Sequence, residues 1–285
     1  MPEHPIRTAA EGIDPKALRR AILDRSKRAN LGHIGCCLCV VEILAALYSG
    51  VLRASTPDDP ERDRFVLAKG HAGLALFAAL VLKGWLPEDI LDTYCGADTL
   101  LGVHPEAALR GVDFSTGSLG QGLSFAAGAA LAARMQGAQR RVFCLISDGE
   151  CNEGSVWESA MFAAHHRLAN LTAILDCNGQ QAFGRTRDVI DIPNFAERWR
   201  AFGWHCEEVD GHSVPDLVRA LSVQSSTGSP TILVAKTTFG KGVSYMERGV
   251  PLSQSHLKTE PVVWHYLPMS DDEYRIALDE LERTP

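Results

Sequence analysis

The chain has 285 residues, of which 46% are hydrophobic and 22% are charged. This composition is typical of a globular protein and excludes a fibrous or intrinsically disordered chain. With 28 basic and 35 acidic residues the formal net charge is −7. Since no stripe of lysine and arginine interleaved with aromatic residues occurs, nucleic acid is not an expected partner.

Signals for export or membrane insertion are not evident in the sequence. Residues Met1 to Gly12 lack the apolar core of a signal peptide, and the most apolar run, Val40 to Leu52, contains Glu42 and Gly50. Eight cysteines without a signal peptide are more typical of a reducing compartment than of a disulfide framework. We therefore expect a cytoplasmic protein that does not enter a membrane.

The first half of the chain contains several apolar stretches. Asp14 followed by Pro15 is a typical helix start, and the spacing of apolar residues predicts a helix that ends near Arg28. Later apolar stretches are Val40–Leu52, the segment after His71, and Gly122–Gln136. The last of these is rich in alanine and glycine, which favours a tightly packed internal helix. Residues 1–13 are predicted to form a flexible arm.

The second half of the chain alternates short apolar strands with helices. The predicted strands are Arg141–Ser147, Leu171–Cys177, His205–Val209 and Pro230–Lys236. The predicted helices are Gly154–Leu168, Phe195–Phe202 and Val214–Leu221. This alternation predicts a doubly wound α/β fold with a mostly parallel sheet flanked by helices. We expect one domain over residues 1–285, with an irregular segment at 241–270 and a final helix at 271–283.

Polar residues end the two strands of the first strand–helix–strand unit. Asp148 follows one strand and Asn178 follows the next, and adjacent parallel strands end at the same edge of their sheet. Taken alone, Asp148 is better explained as a helix cap and Asn178 as a turn residue. Together, a carboxylate and an amide oxygen belong to the oxygen set that Mg²⁺ or Ca²⁺ prefers. This edge is therefore a candidate metal and phosphate site.

A glycine-rich loop replaces the common nucleotide-binding motifs. The sequence has no P-loop motif and no Gly-x-Gly-x-x-Gly after a strand. Instead, Ser115–Gly122 leads directly into the alanine-rich helix, and its glycines allow the backbone to approach a ligand closely. A tight turn with close helix packing is the alternative explanation of this loop.

Histidines occur in loops flanked by glycine or proline, at His33, His71 and His104. Such residues are candidates for proton transfer or for hydrogen bonds to hydroxyls and phosphates, although a single loop histidine is more often a solvated or capping residue. Beside His33, the cysteines of Cys36–Cys39 lack a partner Cys-x-x-Cys pair. Small buried side chains are therefore a better interpretation of this cluster than a zinc site.

These motifs resemble those of a known family. Asp148–Glu150, Glu153–Gly154 and Asp176–Asn178 together resemble the thiamine diphosphate motif. Further blocks resemble those of transketolases in the same order along the chain. These blocks are Arg62–Leu67, Lys69–His71, Gly102–Glu106, Thr116–Gly122 and Lys236–Gly242. The resemblance covers most of Leu18 to Glu282.

The length of the chain refines this resemblance. Full transketolases are much longer, and this chain resembles the N-terminal, diphosphate-binding subunit of a split transketolase. In the family, the second domain carries the glutamate that activates the cofactor and most of the sugar-phosphate contacts. The resemblance therefore implies a separately encoded C-terminal subunit that completes the active site in an α₂β₂ assembly.

The resemblance also implies a function for each matched residue. The ligands of Mg²⁺, which Ca²⁺ or Mn²⁺ can replace, would be Asp148, Asn178 and the main-chain carbonyl of Gln180. The residues that contact thiamine diphosphate would be His71, Gly117, Leu119, Gly149, Glu150, Asn178 and Phe239. The catalytic histidines would be His33, His71, His104 and His265. The carboxylates at the subunit contact would be Glu153 and Glu158. The implied reaction is transfer of a two-carbon glycolaldehyde unit from a ketose to an aldose or another aldehyde.

The chain departs from the family pattern at a few positions. Ser147 replaces the usual glycine before the Asp-Gly pair, and Phe183 stands where the family often has aspartate. The late active-site histidine is assigned to His265, with His256 as the alternative in the same stretch.

Two other functions remain open from the sequence. The α subunit of a 2-oxo acid dehydrogenase shares the Asp-Gly to Asn spacing, but His33, His71 and His104 in transketolase-like contexts argue against it. A cofactor-binding scaffold without catalytic activity is the other alternative, and the intact metal and histidine positions argue against that.

Overall fold

The computed structural model describes residues 12–223, 228–248 and 263–283. Its centre is a five-stranded sheet in the order β1-β2-β3-β7-β6, in which every neighbouring pair is parallel. The strands are β1 (Arg64–Leu67), β2 (Val142–Ser147), β3 (Leu171–Cys177), β4 (Gln180–Gln181), β5 (Gly184–Arg185), β6 (His205–Asp210) and β7 (Thr231–Lys236). Strands β4 and β5 form a separate antiparallel pair. The predicted doubly wound α/β fold is confirmed.

Helices cover both faces of this sheet. They are α1 (Pro15–Ala29), α2 (Ile34–Leu38), α3 (Val41–Ala46), α4 (Gly73–Leu82), α5 (Gly122–Met135), α6 (Gly154–His165), α7 (Thr186–Val189), α8 (Phe195–Ala201), α9 (Val214–Ser222), α10 (Ser244–Glu247), α11 (Val263–Tyr266) and α12 (Asp271–Arg283). Helices α5, α6 and α8 contribute to the apolar cluster on one face, and α1 to α4, α9 and α12 contribute to the cluster on the other. Among the described residues, no helix is both long enough and apolar enough to cross a membrane.

The central strands are apolar on both sides because both faces are covered. In β2, Phe143 and Leu145 belong to one apolar cluster, whereas Val142, Cys144 and Ile146 belong to the other. Continuous apolar strands of this kind are typical of parallel sheets between two helical layers. The edge strand β6 instead has only two buried positions, Cys206 and Val209, and its other residues are partly or fully exposed.

Some predicted boundaries were wrong. The helix that begins at Gly154 ends at His165 rather than Leu168, because the chain turns at Arg167 in a left-handed conformation (φ 49°). The segment 241–270 is not wholly irregular, since it contains α10 and α11. Strand β1 was not predicted.

The predicted N-terminal arm lies mostly outside the described residues. Within it, Ile13 is buried, with an exposed fraction of 6%, and its amide donates to Ser49 Oγ at 2.7 Å. Ile13 therefore does not belong to a flexible arm.

Helix α5 packs unusually closely against the segment that follows β1. A Cβ atom at Gly122 would lie 2.2 Å from the Cβ and 2.6 Å from the Cα of Ala68, so only glycine allows this approach. We expect Gly122→Ala to lower the free energy of unfolding by ~1–3 kcal/mol through overpacking, measured by urea denaturation.

A matched control for this substitution lies in the same helix. Beyond the backbone of its own helix, a Cβ atom at Gly128 would meet no heavy atom of the described residues within 4 Å. Gly128→Ala is therefore expected to raise the free energy of unfolding by ~0.4–1 kcal/mol, because alanine restricts the unfolded chain. Equal effects of the two substitutions would contradict the close packing of α5.

Candidate active site

Four strands deliver polar residues to one edge of the sheet. Strands β1, β2, β3 and β7 are parallel neighbours, so their carboxyl ends lie side by side. Soon after these ends come His71, Asp148, Asn178 and Thr237, respectively. Ligands of open parallel sheets bind at this edge, where loops and helix N-termini meet.

Asp148 and Asn178 lie in loops joined by hydrogen bonds. Asp148, which is 1% exposed, accepts a bond at Oδ1 from the amide of Gly149 (2.8 Å) and at Oδ2 from the amide of Gly179 (2.7 Å). The oxygen Oδ1 of Asn178 accepts from the amide of Gln180 (2.8 Å). The cap and turn explanations are therefore correct locally, and the bond from Gly179 to Asp148 holds the loop of Asn178 against that of Asp148. We call this group of Asp148, Asn178 and Gln180 the oxygen cradle.

The electrostatics of the oxygen cradle favour a cation. Burial raises the pKa of Asp148 to about 7, and the nearby carboxylate of Asp176 acts in the same direction. A divalent cation would reverse this shift, because opposite charge stabilises the ionised form. Carboxylate, amide and main-chain oxygens are the hard ligands that Mg²⁺ prefers.

One polar side-chain atom of the cradle residues lacks a partner within the described part of the chain. Among the described residues, Oε1 of Gln180 is buried without a hydrogen bond. Buried polar atoms are normally paired, so an orphaned oxygen beside the cradle fits a bound cation or an ordered water. No group of three or more histidine, cysteine or acidic side chains in the described part of the chain is arranged to hold a metal. A metal at this edge would therefore need amide or main-chain oxygens.

The predicted histidines converge beside the oxygen cradle. The ring centroids of His33 and His71 are 4.9 Å apart, and those of His71 and His104 are 4.6 Å apart. His265 joins them through its main-chain oxygen, which accepts from the amide of His33 at 3.1 Å. We call these four residues the histidine cluster. The alternative residue, His256, lies outside the described residues.

Ring nitrogens in the histidine cluster lack hydrogen-bond partners in the part of the chain that the structure describes. Within the described ranges, His33 Nδ1, His104 Nε2 and His265 Nε2 are buried without a hydrogen bond. Burial lowers the pKa of all four histidines, to about 4 for His71 and about 3 for His265. They are therefore neutral near pH 7, and each can donate a hydrogen bond to a ligand or accept one from it.

The glycine-rich loop is held directly against the histidine cluster. A Cβ atom at Gly117, whose φ is +152°, would lie 2.9 Å from Cγ of His104. A Cβ atom at Gly70 would lie 2.8 Å from the amide nitrogen of Gly117. These contacts explain why the loop requires glycine. Leu119 is half-buried in the same loop.

Glu150 connects this loop to the oxygen cradle. Its carboxylate is fully buried and accepts from the amides of Gly120 (2.8 Å) and Ser147 (3.3 Å). The hydroxyl of Ser147 in turn accepts from the amide of Glu150 (3.1 Å), so serine is readily accommodated before Asp148. In the structure Glu150 therefore holds the backbone of the glycine-rich loop and the backbone at the end of β2 in place. Gly149 lies close to the following hairpin, where an added Cβ would be 2.7 Å from Cβ of Gln181.

Phe239 forms an apolar wall beside the late histidine. Its ring is 4.6 Å from that of His265, and its exposed fraction is 1%. A Cβ atom at Gly35 would lie 2.1 Å from the Phe239 ring, so only a residue without a side chain leaves room for the ring.

A buried network that the sequence analysis missed holds the Phe239 loop. His212 Nε2 accepts from the amide of Thr238 (2.8 Å), and its Nδ1 lies 3.0 Å from Oε2 of Glu42. Arg19 pairs with Glu42 at 2.5 Å and donates to the carbonyl of Lys241 at 3.1 Å.

The sequence could have indicated one member of this network. His212 follows β6 at the same edge of the sheet, so the strand-end rule that selected Asp148 also applies to it.

The cysteines near His33 pack against the histidine cluster from behind. Cys36, Cys37 and Cys39 are buried. Cys36 Sγ lies 2.8 Å from the carbonyl of His33 and 3.3 Å from that of His71. Their burial agrees with the interpretation as small core residues.

The residues predicted at a subunit contact lie on the surface. Glu153 precedes α6 and Glu158 lies within it, and both are exposed. Phe183, at the turn between β4 and β5, is 82% exposed. The structure does not bring these side chains into the histidine cluster.

Comparison with protein families gives the chain its classification. A family model described as the thiamine diphosphate binding domain of transketolase matches residues 13–269. The chain belongs to the transketolase family. The predicted resemblance to the N-terminal part of a transketolase is confirmed.

Relatives of this transketolase-family chain fall into two size classes. It is 37% identical to a 6-deoxy-6-sulfo-D-fructose transketolase subunit from Clostridium sp., over 93% of this chain and 94% of the relative. It is also 37% identical to an apulose-4-phosphate transketolase subunit from Phocaeicola vulgatus, over 84% of this chain and 88% of the relative. The human transketolase is 40% identical over 81% of this chain, which spans only 37% of that protein.

A solved transketolase shares the fold. The Campylobacter jejuni enzyme superposes with a TM-score of 0.83 and 28% identity, covering 94% of this chain and 42% of the enzyme. The present chain therefore corresponds to the N-terminal part of a full-length transketolase.

Proposed function

We propose that this chain is the N-terminal subunit of a two-component transketolase. It transfers a two-carbon ketol unit from a ketose or ketose phosphate to an aldehyde or aldose, with thiamine diphosphate and Mg²⁺. The observation that carries this proposal is that the buried ring nitrogens His33 Nδ1, His104 Nε2 and His265 Nε2, beside the oxygen cradle, have no hydrogen-bond partner in the described part of the chain. Buried polar atoms without protein partners at one sheet edge are suited to a polar ligand.

The oxygen cradle supports the placement of the metal and the diphosphate. Asp148, Asn178 and the main-chain oxygen of Gln180 would hold Mg²⁺, while Gly149 and His71 would contact the diphosphate. The charge of the metal would allow an anionic ligand to bind beside a buried carboxylate. The cofactor cleft would be lined by Gly117, Leu119 and Phe239.

The histidine cluster supports the handling of substrate. When bound, thiamine diphosphate supplies the nucleophilic carbon and the electron sink for cleaving and forming the carbon–carbon bond. Neutral His33 and His104 would hydrogen-bond the hydroxyls of the donor and hold protons in position as charge shifts. The apolar ring of Phe239 would exclude water beside His265.

A separate C-terminal subunit is supported by the lengths of the relatives. Two relatives of nearly the same length as this chain are named as transketolase subunits, whereas the chain spans less than half of full-length transketolases. Exposed Glu153 and Glu158 would lie at the contact between subunits of an α₂β₂ complex. We place this complex in the cytoplasm, because eight cysteines without an evident signal peptide suit a reducing compartment.

Calorimetric titration of thiamine diphosphate with Mg²⁺ tests the cofactor assignment. The titration is made into this chain alone and into its complex with the C-terminal subunit, and the metal is then removed with a chelator. We expect saturable binding to the complex that is lost without the divalent cation. Absence of binding to a folded complex would contradict the proposal.

A further inference from the structure

A buried carboxylate lies directly beneath the oxygen cradle. Asp176, near the end of β3, is fully buried. Its Oδ2 accepts from Lys69 Nζ, from Asn178 Nδ2 at 2.7 Å and from Cys39 Sγ at 3.2 Å. The hydroxyl of Thr237 donates to the other oxygen, Oδ1. The carboxylate is thus surrounded by donors, one of which belongs to a cradle residue.

This arrangement determines which end of the Asn178 amide faces the cradle. An ionised carboxylate only accepts hydrogen bonds, whereas a side-chain amide has a donating nitrogen and an accepting oxygen. Because Nδ2 of Asn178 donates to Asp176, Oδ1 of the same amide points away from Asp176. There it accepts from the backbone amide of Gln180 at 2.8 Å. The second lone pair of Oδ1 is available to a cation. A reversed amide would present N–H groups to the cation instead.

The negative charge of Asp176 is balanced by the positive charge of a buried lysine. Lys69 is 4% exposed and reaches Asp176 from the loop after β1, across β2. A buried ion pair often adds no stability over apolar side chains of similar size, because both charges lose hydration. Stability alone therefore does not account for this pair, whereas its direct contact with Asn178 gives it a second effect.

We propose that Asp176, held in place by Lys69, is a positioning residue that orients the amide oxygen of Asn178 toward Mg²⁺. This inference rests on the proposed function of the cradle. Groups that hold metal ligands in place from behind commonly change metal affinity when they are replaced.

The test is the Mg²⁺ affinity of the D176N variant. An asparagine at this position presents an N–H group as well as an oxygen, so it no longer enforces one orientation of Asn178. The complex with the C-terminal subunit is titrated with Mg²⁺ at saturating thiamine diphosphate, and binding is followed by tryptophan fluorescence. We expect the Kd for Mg²⁺ to rise ~10–100-fold.

A matched control separates this effect from the loss of a buried charge. Asp63 is 1% exposed and is held by Arg53 at 2.8 Å and by Arg141 at 2.6 Å, at the opposite end of β1. The D63N variant also breaks a buried ion pair, but its Kd for Mg²⁺ is expected to stay within about twofold of wild type, since distant sites act independently. A similar rise in Kd for both variants would overturn the positioning role.

A second variant keeps the test decisive if D176N does not fold, as judged by circular dichroism. Thr237→Val removes only the donor to Oδ1 and leaves the contact with Lys69 intact. It loosens Asp176, so a smaller rise in the Kd for Mg²⁺ is expected. Wild-type affinity in this variant, or in a folded D176N, would overturn the positioning role alone. Absence of any saturable Mg²⁺ response in the wild-type complex would contradict the proposed function itself.

Discussion

Replacing Asp148 with alanine is expected to weaken Mg²⁺-dependent binding of thiamine diphosphate by a factor of ~100 or more, because even residues behind metal ligands contribute ~10–100-fold. Asp148 is the carboxylate of the oxygen cradle and is 1% exposed. Its loss removes the negative charge that would pair with the cation. Calorimetry of the complex, with and without Mg²⁺, measures the effect.

The D148N variant serves as the control for folding. An asparagine can still accept from the amide of Gly149 or Gly179, so the turn is better preserved than with alanine. Binding is expected to fall in both variants, while the far-UV circular dichroism of D148N matches wild type. Undiminished Mg²⁺-dependent binding in Asp148→Ala would rule out the oxygen cradle as the metal site.

The second large effect is expected at the glycine-rich loop. In Gly117→Ala, the new methyl group would meet Cγ of His104 at 2.9 Å and Cδ2 at 3.0 Å, at a φ of +152° that L residues rarely adopt. His104 must therefore move. Because displacement of a reacting group by ~1 Å can cost ~100-fold in rate, we expect kcat/KM of the complex to fall ~10–100-fold.

Gly102→Ala is the matched control, since among the described residues the added Cβ would meet only the carbonyl oxygen of His104, at 3.8 Å. That separation is ordinary van der Waals contact, so kcat/KM should change little. If Gly117→Ala retained wild-type kcat/KM in the same ketose-to-aldose transfer assay, close contact between the loop and His104 would not matter for the reaction.

Local patterns in the sequence were sufficient to predict many of the strands and helices. Strands β2 and β3 are buried on both faces, and their continuous apolar runs revealed them. Strand β1 was missed because it has only four residues and begins with Arg64, so it carries little periodic signal. The short helices α10 and α11 are similarly too brief to produce a recognisable pattern.

The candidate site could be predicted only in part. The rule for strand ends predicts that Asp148 and Asn178 lie at one edge of the sheet, because it depends on topology alone. Strands β2 and β3 are indeed parallel neighbours, and Asp148 accepts a bond from Gly179, next to Asn178. The pairing of Lys69 with Asp176 joins residues 107 positions apart, and no local pattern indicates it. The same is true of Glu42 and His212, which are 170 positions apart. The convergence of His33, His71 and His104 was expected only from the family resemblance.

The most direct test of a divided active site is a ketose-to-aldose transfer assay on three samples. These are this chain by itself, the C-terminal subunit by itself, and their mixture, each with thiamine diphosphate and Mg²⁺. We expect transfer of a two-carbon unit only in the mixture, because in the proposed function this chain supplies the histidine cluster and the oxygen cradle, and the C-terminal subunit completes the active site. Turnover by this chain without its partner, or no turnover by a folded mixture across ketose donors, would contradict that expectation.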